Sequence, residues 1–285
     1  MDLFYKGDKI HILITAGEEG ETSKVGLDFG QIGYKESDVP QLWKDGMEYA
    51  KEIQENWDPE VTTLSRKFEG DKNLVFFPMV ETGMVTNMES CFQNCSSLTI
   101  IPDLNTEKVK KLDYCFDGCS SLAIVPPMNT EKVTSMYYSF RNCSALGSIP
   151  LLNTGNMDVM YSTFSGCKSL TSIPELNMEK VSDMRYCFQD CNSLTTVSDL
   201  NTEVVIQVSS CFSNCSKLKR IEGFSFKNMP SISSYSGFFF GYSANTSCSY
   251  MLLKDIGTKE ACTTLDFTYA RAWGIADTDN PDARQ

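Results

Sequence analysis

The chain has 285 residues and a formal net charge of −12. It is long enough to bury a sizeable core. Its acidity weighs against nucleic acid and anionic lipid, which need clustered Lys and Arg.

At the N-terminus, MDLFYKGDKIHILITAGEEG has no basic stretch leading into an apolar one, so no signal peptide is read there. An exported protein would need an upstream leader or another route. The longest apolar runs, such as Ile10–Thr15, fall far short of the ~20 residues of a membrane span, and no membrane insertion is expected. Lys9–Ala16 and Lys24–Tyr34 read as two strands joined by the acidic loop GEEGETS. Ser37 or Asp38 is placed to cap a helix running to about Trp57, with Val39, Leu42, Trp43, Met47, Ala50 and Ile53 on its apolar positions. Residues 1–60 are expected to form a cap on the array that begins at residue 61; a small docking domain is the functional alternative.

From residue 61 the chain repeats. Cys95, Cys119, Cys143, Cys167, Cys191 and Cys215 recur every 24 residues, as do seven phenylalanines from Phe68 to Phe212 and seven leucines from Leu74 to Leu218. Four further apolar columns start at Val61, Leu64, Phe77 and Val80. Seven coils thus occupy 61–228 without insertion. One such coil cannot bury its apolar side chains alone, but stacked coils share a continuous core. Within a coil, Val109, Leu112, Phe116 and Cys119 have helical spacing, which predicts a short helix of two to three turns. The stretch from Cys119 to Asn129 reads as turn, short strand, turn. Gly70, Asn94, Gly118, Asn142, Gly166, Asp190 and Asn214 sit two residues after each Phe and tolerate the left-handed backbone expected at the helix end. Pro78, Pro102, Pro126, Pro150 and Pro174 close the strand. Strand pairing between coils at about 4.8 Å would make the array roughly 35 Å long.

Units such as CSSLTIIPDLNTEKVKKLDYCF and CSALGSIPLLNTGNMDVMYSTF resemble the BspA-type leucine-rich repeats of Bacteroidetes surface proteins and the related repeat of mycoplasma surface lipoproteins. The likeness covers 61–228. It implies an α/β fold class, a right-handed leucine-rich-repeat solenoid with a short helix and a short parallel strand per coil, capped at both ends. It also implies adhesion or host-protein binding at a cell surface, or a place among prophage tail-associated proteins. The chain shows neither the leader nor the lipobox cysteine of exported members. By resemblance the location is extracellular or on a phage particle, and otherwise cytoplasmic.

Beyond 228 the period fades into a degenerate repeat and C-terminal cap over 229–285. GFFFGYSANTSCSYMLLKD is aromatic and Ser-rich, LDFTYARAW offers a closing strand, and ADTDNPDARQ is polar. So abrupt an end also fits a chain cut short of its cap.

The C-x-x-x-C pairs Cys91/Cys95, Cys115/Cys119, Cys187/Cys191 and Cys211/Cys215 raise the question of a metal or redox site. Structural zinc uses closer knuckles and catalytic zinc wants His, and the one His is His11. The Cys column (Cys95, Cys119, Cys143, Cys167, Cys191, Cys215) is therefore read as core packing, with no metal and no cofactor expected. Asn105, Asn129, Asn153, Asn177 and Asn201 form a ladder, read as amides bonding adjacent coils. The glycosylation patterns at Asn94, Asn142 and Asn214 are taken as accidents of the repeat. Glu107–Lys108, Glu131–Lys132, Glu179–Lys180 and Glu203 read as a solvated stripe. Tyr114, Tyr137, Tyr138, Tyr161 and Tyr186 are the candidate binding ridge, because aromatic residues are enriched at interfaces; their rings would equally shield the core.

No nucleophile elbow, Walker loop or H-E-x-x-H occurs, so no catalytic residue is assigned and no enzyme is expected. The expected function is recognition or adhesion, as a monomer in isolation, with a protein or glycan on a cell surface as partner. A structural prophage tail accessory and a Cys-based metal protein are the alternatives.

Overall fold

The 24-residue repeat folds as stacked coils in the computed structural model, which describes residues 2–6, 9–13, 40–150, 152–197, 200, 202–225, 250–255 and 273–275. Residues 61–221 form a single interior. Stacked phenylalanines run through it, with ring centroids 5.2 to 5.7 Å apart and planes within 12° from Phe68 to Phe212. Each of the six from Phe92 to Phe212 is fully buried, and each such burial contributes about 1.5–3 kcal/mol. The coils are in register: bridged residues such as Thr63 and Asn87, Phe76 and Ile100, or Val159 and Asp183 all lie 24 positions apart and run parallel.

Among the described residues, the expected helix is absent from the coils. Arg66, Ser90, Tyr114, Tyr138, Ser162, Tyr186 and Ser210, two residues before each Phe, have φ between 52° and 59°. A left-handed residue there stops a helix before it completes a turn. The backbone donors go elsewhere. The N–H groups of Leu64, Arg66, Phe68 and Gly70 donate to the carbonyls of Asn87, Glu89, Cys91 and Gln93 in the next coil at 2.7–3.0 Å. Between them, Lys67, Glu69 and Asp71 donate back to the carbonyls of Leu64, Arg66 and Phe68. A chain of tight turns cross-linked to the next coil gives the same spacing of three and four as a helix. The α/β assignment with a helix per coil is corrected accordingly to a solenoid of turns and β-bridges.

The column two residues after each Phe is left-handed in all seven coils, with φ between 60° and 78°. Its alternation of Gly and Asn has a steric cause. A Cβ on Gly118 would lie 2.5 Å from Asn94 Oδ1, and one on Gly166 would lie 2.6 Å from Asn142 Oδ1. The Asn of one coil thus reaches over the Gly of the next. Where two polar residues follow each other, they bond instead: Asn214 Nδ2 donates to Asp190 Oδ1 at 2.8 Å.

Buried threonines fix the last corner of three coils. Thr82, Thr130 and Thr154 donate their hydroxyls to the carbonyls of Asn105, Asn153 and Asn177 in the next coil at 2.7–3.1 Å. Thr106, buried equally, leaves its hydroxyl unpaired.

Near the N-terminus β1 (Asp2–Lys6) pairs antiparallel with β2 (Lys9–Leu13). The hairpin partner of the Lys9 strand is therefore Asp2–Lys6; Lys24–Tyr34 lies outside the described residues. The helix α1 (Gln41–Glu55) begins after Pro40 with no side-chain cap bond, in place of the expected Ser37 or Asp38, which also lie outside. It packs on the first coil. Trp43 meets Phe76 edge-on at 4.8 Å, and Trp57 meets Phe77 at 5.9 Å. Gly46 is needed for the approach, since a Cβ there would lie 2.6 Å from Val75 Cβ. Tyr49 donates to Asp71 Oδ2 at 2.7 Å, and Trp57 Nε1 to the Glu81 carbonyl at 2.8 Å.

Toward the other end, β3 (Thr196–Val197), β4 (Arg220–Ser225), β5 (Tyr250–Asp255) and β6 (Trp273–Ile275) form one parallel sheet in that order. The stack continues past 228 with unequal steps: Ile221 pairs with Met251, and Met251 with Trp273. β6 takes up only the last residue of LDFTYARAW; the rest of that segment, GFFFGYSANTSC and ADTDNPDARQ lie outside the described residues.

Candidate recognition surface

The five tyrosines come together across four coils. Tyr114 stacks on Tyr138 at 5.1 Å, and Tyr137 stacks on Tyr161 at 4.7 Å with planes 6° apart. Tyr138 meets Tyr161 edge-on at 5.4 Å, and Tyr186 lies tilted 5.4 Å from Tyr161. All five are half-buried. Tyr114, Tyr138 and Tyr186 occupy the left-handed position before the Phe, while Tyr137 and Tyr161 occupy the preceding one. Two successive positions therefore feed one cluster. Burial pushes the hydroxyls of Tyr114 and Tyr137 up; burial, then a hydrogen bond with Tyr138, takes Tyr161 to about 12.

Two arginines belong to this cluster. The Arg141 guanidinium lies 4.2 Å over the Tyr138 ring and grips Asp117 with two bonds, Nε to Oδ1 at 2.8 Å and Nη2 to Oδ2 at 2.7 Å. Asp117 is buried, and also accepts from Gln93 Nε2 at 3.0 Å. Arg185 lies 5.0 Å over Tyr161, and its Nη2 bonds Asp183 Oδ2 at 2.6 Å. Both guanidinium pKa values are raised, first by the hydrogen bonds to their aspartates. Asp113 joins neighbouring coils by accepting from Ser135 Oγ at 2.7 Å and from the Tyr137 N–H at 2.8 Å. Sequence reasoning found the tyrosines and missed the arginines. The available signal was column spacing, since Arg141 stands 24 residues after Asp117 and three after Tyr138.

The cysteine column points inward, and its thiols do more than fill space. Cys95, Cys119, Cys143, Cys167, Cys191 and Cys215 each donate Sγ–H to a Phe carbonyl of the preceding coil at 2.9–3.3 Å. Ser139 and Thr163, standing in the neighbouring column where other coils have Cys, donate to the carbonyls of Leu112 and Met136 at 2.8 and 2.9 Å. That neighbouring column thus accepts a small hydroxyl side chain as well as Cys. All ten described cysteines are free thiols. Burial is the main cause that raises their pKa, with Cys95 and Cys215 at about 12. No three His, Cys, Asp or Glu side chains converge as a metal site among the described residues.

The asparagine ladder differs from expectation. Asn105, Asn129, Asn153 and Asn177 are exposed, and each Oδ1 accepts the N–H two residues on, at 3.0–3.2 Å. Their side chains fold the turn of their own coil; the threonines make the bonds between coils. Asn201 lies outside the described residues. Asn94 and Asn142 are exposed at left-handed turns where the N–H of Ser96 or Ser144 bonds back to the Asn carbonyl at 2.8 Å. Lys180 donates to Asn156 Oδ1 at 2.6 Å on an exposed surface, which makes the Glu–Lys stripe a solvated face. The His11 side chain lies outside the described residues. None of the described helices is long and apolar enough to cross a membrane.

Stacked coils in register and interior ladders of like residues define a solenoid repeat protein. Three overlapping stretches, 38–148, 62–172 and 123–224, match the family described as "Mycoplasma protein of unknown function, DUF285", and the chain belongs to that family. Among solved structures it is similar to a leucine-rich repeat protein from Bacteroides ovatus, at 20% identity and a TM-score of 0.35, over 69% of this chain and 60% of that one. The chain thus spans less than two thirds of that protein's length. No curated protein matches it.

Proposed function

We propose that this chain is a non-catalytic recognition module that engages a protein partner through its tyrosine–arginine ridge. The observation that carries the proposal is the occupancy of the ring faces. Arg141 covers Tyr138, Arg185 covers Tyr161, and tyrosine pairs cover further faces. At Tyr138 and Tyr161 this leaves a ligand ring edges, hydroxyls and guanidinium rims, which suit a protein surface better than the flat face of a sugar. Tyr and Arg are the residues that most often dominate binding energy at such surfaces. Held by stacking and by buried Asp117, they lose little freedom on binding. In this reading the array is right-handed and serves adhesion, on a cell surface or a phage particle.

The test is binding of the purified chain to solubilised surface proteins of host and bacterial cells, measured by biolayer interferometry. The double variant Tyr138→Ala/Tyr161→Ala is expected to lose roughly 30-fold in affinity, corresponding to about 2 kcal/mol. Glu107→Ala, on the Glu–Lys stripe, leaves binding unchanged. Wild-type affinity in the tyrosine variant, with an intact denaturation midpoint, would remove the ridge from the function.

A further inference from the structure

A groove of about 890 Å³ runs across three successive coils, and none of the five tyrosines lines it. Its polar lining is Asn129, Asn153 and Asn177 with Glu131, Glu175 and Glu179; Leu152, Leu176 and Pro127 supply an apolar floor. The volume lies within the range of small-ligand and oligomer sites, about 300–1,000 Å³. No Lys or Arg lines it.

The asparagines are already aimed. Each Oδ1 is held by its own turn, through the N–H of Glu131, Gly155 or Glu179 at 3.0–3.2 Å. Each amide is thereby oriented with its Nδ2 end unengaged by any hydrogen bond among the described residues. Gly155 stands where the flanking coils have Glu131 and Glu179, and a Cβ there would come within 3.1 Å of Asn177 Nδ2. The glycine keeps the middle of the groove clear. The lining thus alternates fixed donors with carboxylate acceptors, repeated at the coil spacing of about 4.8 Å.

We propose that this groove binds a neutral, hydroxyl-rich polysaccharide laid along the stack, with each Asn Nδ2 donating to one hydroxyl and a neighbouring Glu accepting from the next. A vicinal diol both accepts and donates, which matches an amide beside a carboxylate. Sugar C–H faces rest on exposed Pro127. Three carboxylates without a cation exclude sulfated, phosphorylated or uronic-acid chains by repulsion. The site is separate from the ridge, and either can fail without the other.

The experiment is calorimetric titration of the full chain with soluble neutral polysaccharides (xylan oligomers, laminarin and dextran) and, as a rival, with oligolysine. The discriminating variant is Asn153→Asp/Asn177→Asp, because Asp keeps an oxygen that folds the turn, replaces the Nδ2 donor by an acceptor and adds a negative charge that a neutral glycan and a basic peptide read in opposite directions. Binding of at least one neutral glycan is expected, insensitive to salt, reduced tenfold or more in the Asp variant and unchanged in Tyr138→Ala/Tyr161→Ala. No binding of any neutral glycan, or unaltered binding in the Asp variant, overturns the proposal. So does binding of oligolysine alone, strengthened by the Asp substitutions and lost at high salt, which would make this an acidic cleft for a basic peptide.

Discussion

A single hydroxyl separates Thr106 from its equivalents. Thr130 donates at 2.7 Å to the Asn153 carbonyl, while Thr106, equally buried, donates to nothing. A buried hydrogen bond contributes about 1 kcal/mol, and a buried unpaired hydroxyl contributes a penalty instead. Thr130→Val is therefore expected to lower stability by about 1 kcal/mol and Thr106→Val to leave it unchanged or raise it. Urea denaturation midpoints measure both; an equal loss in the two variants would show that the bond in Thr130 contributes nothing. Nothing in the sequence separates these threonines, because they occupy the same column. By contrast, the alternation of Gly118 and Gly166 with Asn94 and Asn142 was there to be read. Its cause, the reach of an Asn side chain over the next coil, is visible only when coils are stacked.

At the scale of elements, α1 is tied to the first coil by Tyr49. Asp71 stands in the cysteine column of that coil and accepts the tyrosine hydroxyl at 2.7 Å. That hydrogen bond, then burial, takes the Tyr49 pKa up to about 12, against about 10 when unfolded. Between those values the folded state keeps a proton that the unfolded state has lost. The stability from this contact is complete below about pH 10 and fades as pH rises toward 12. Tyr49→Phe should cost about 1 kcal/mol at pH 7, and its deficit against wild type should close between pH 10 and pH 12. A constant gap across that range, by urea midpoint, would contradict the assignment. The helix itself was legible from its apolar spacing and two Trp residues. Its start at Pro40 was not, since Ser37 and Asp38 look like caps and no side-chain bond decides the boundary. The misread helix within each coil has a clearer origin. Spacings of three and four report only which side chains face inward, and both a helix and a train of turns bonded to the next coil satisfy them.

Over the whole molecule, the ten described thiols are buried in one interior, and six of them hold the carbonyls of neighbouring coils. Burial lifts their pKa well above that of a free thiol, near 8.5 when unfolded. Their contribution is fully present below that value and is lost as pH rises through the folded values, so stability should fall steadily above about pH 9. At pH 8 a maleimide should label Cys119 and Cys143 only as fast as the array opens, and at once in denaturant. Rapid labelling of the native chain, read by peptide mass spectrometry, would mean that the interior is open.

The sequence by itself determined the repeat, its length, its register and its inward-facing columns, because each coil must bury the same side chains against identical neighbours. Stacking is a one-dimensional problem, and a period solves it. Only the tertiary structure decided the backbone path within a coil, the use of thiols and threonines as donors between coils, and the pairing of Arg141 and Arg185 with aspartates under the tyrosine rings. Those outcomes depend on which carbonyl or ring lies one coil away, at a distance that a periodic pattern implies but an orientation it does not specify.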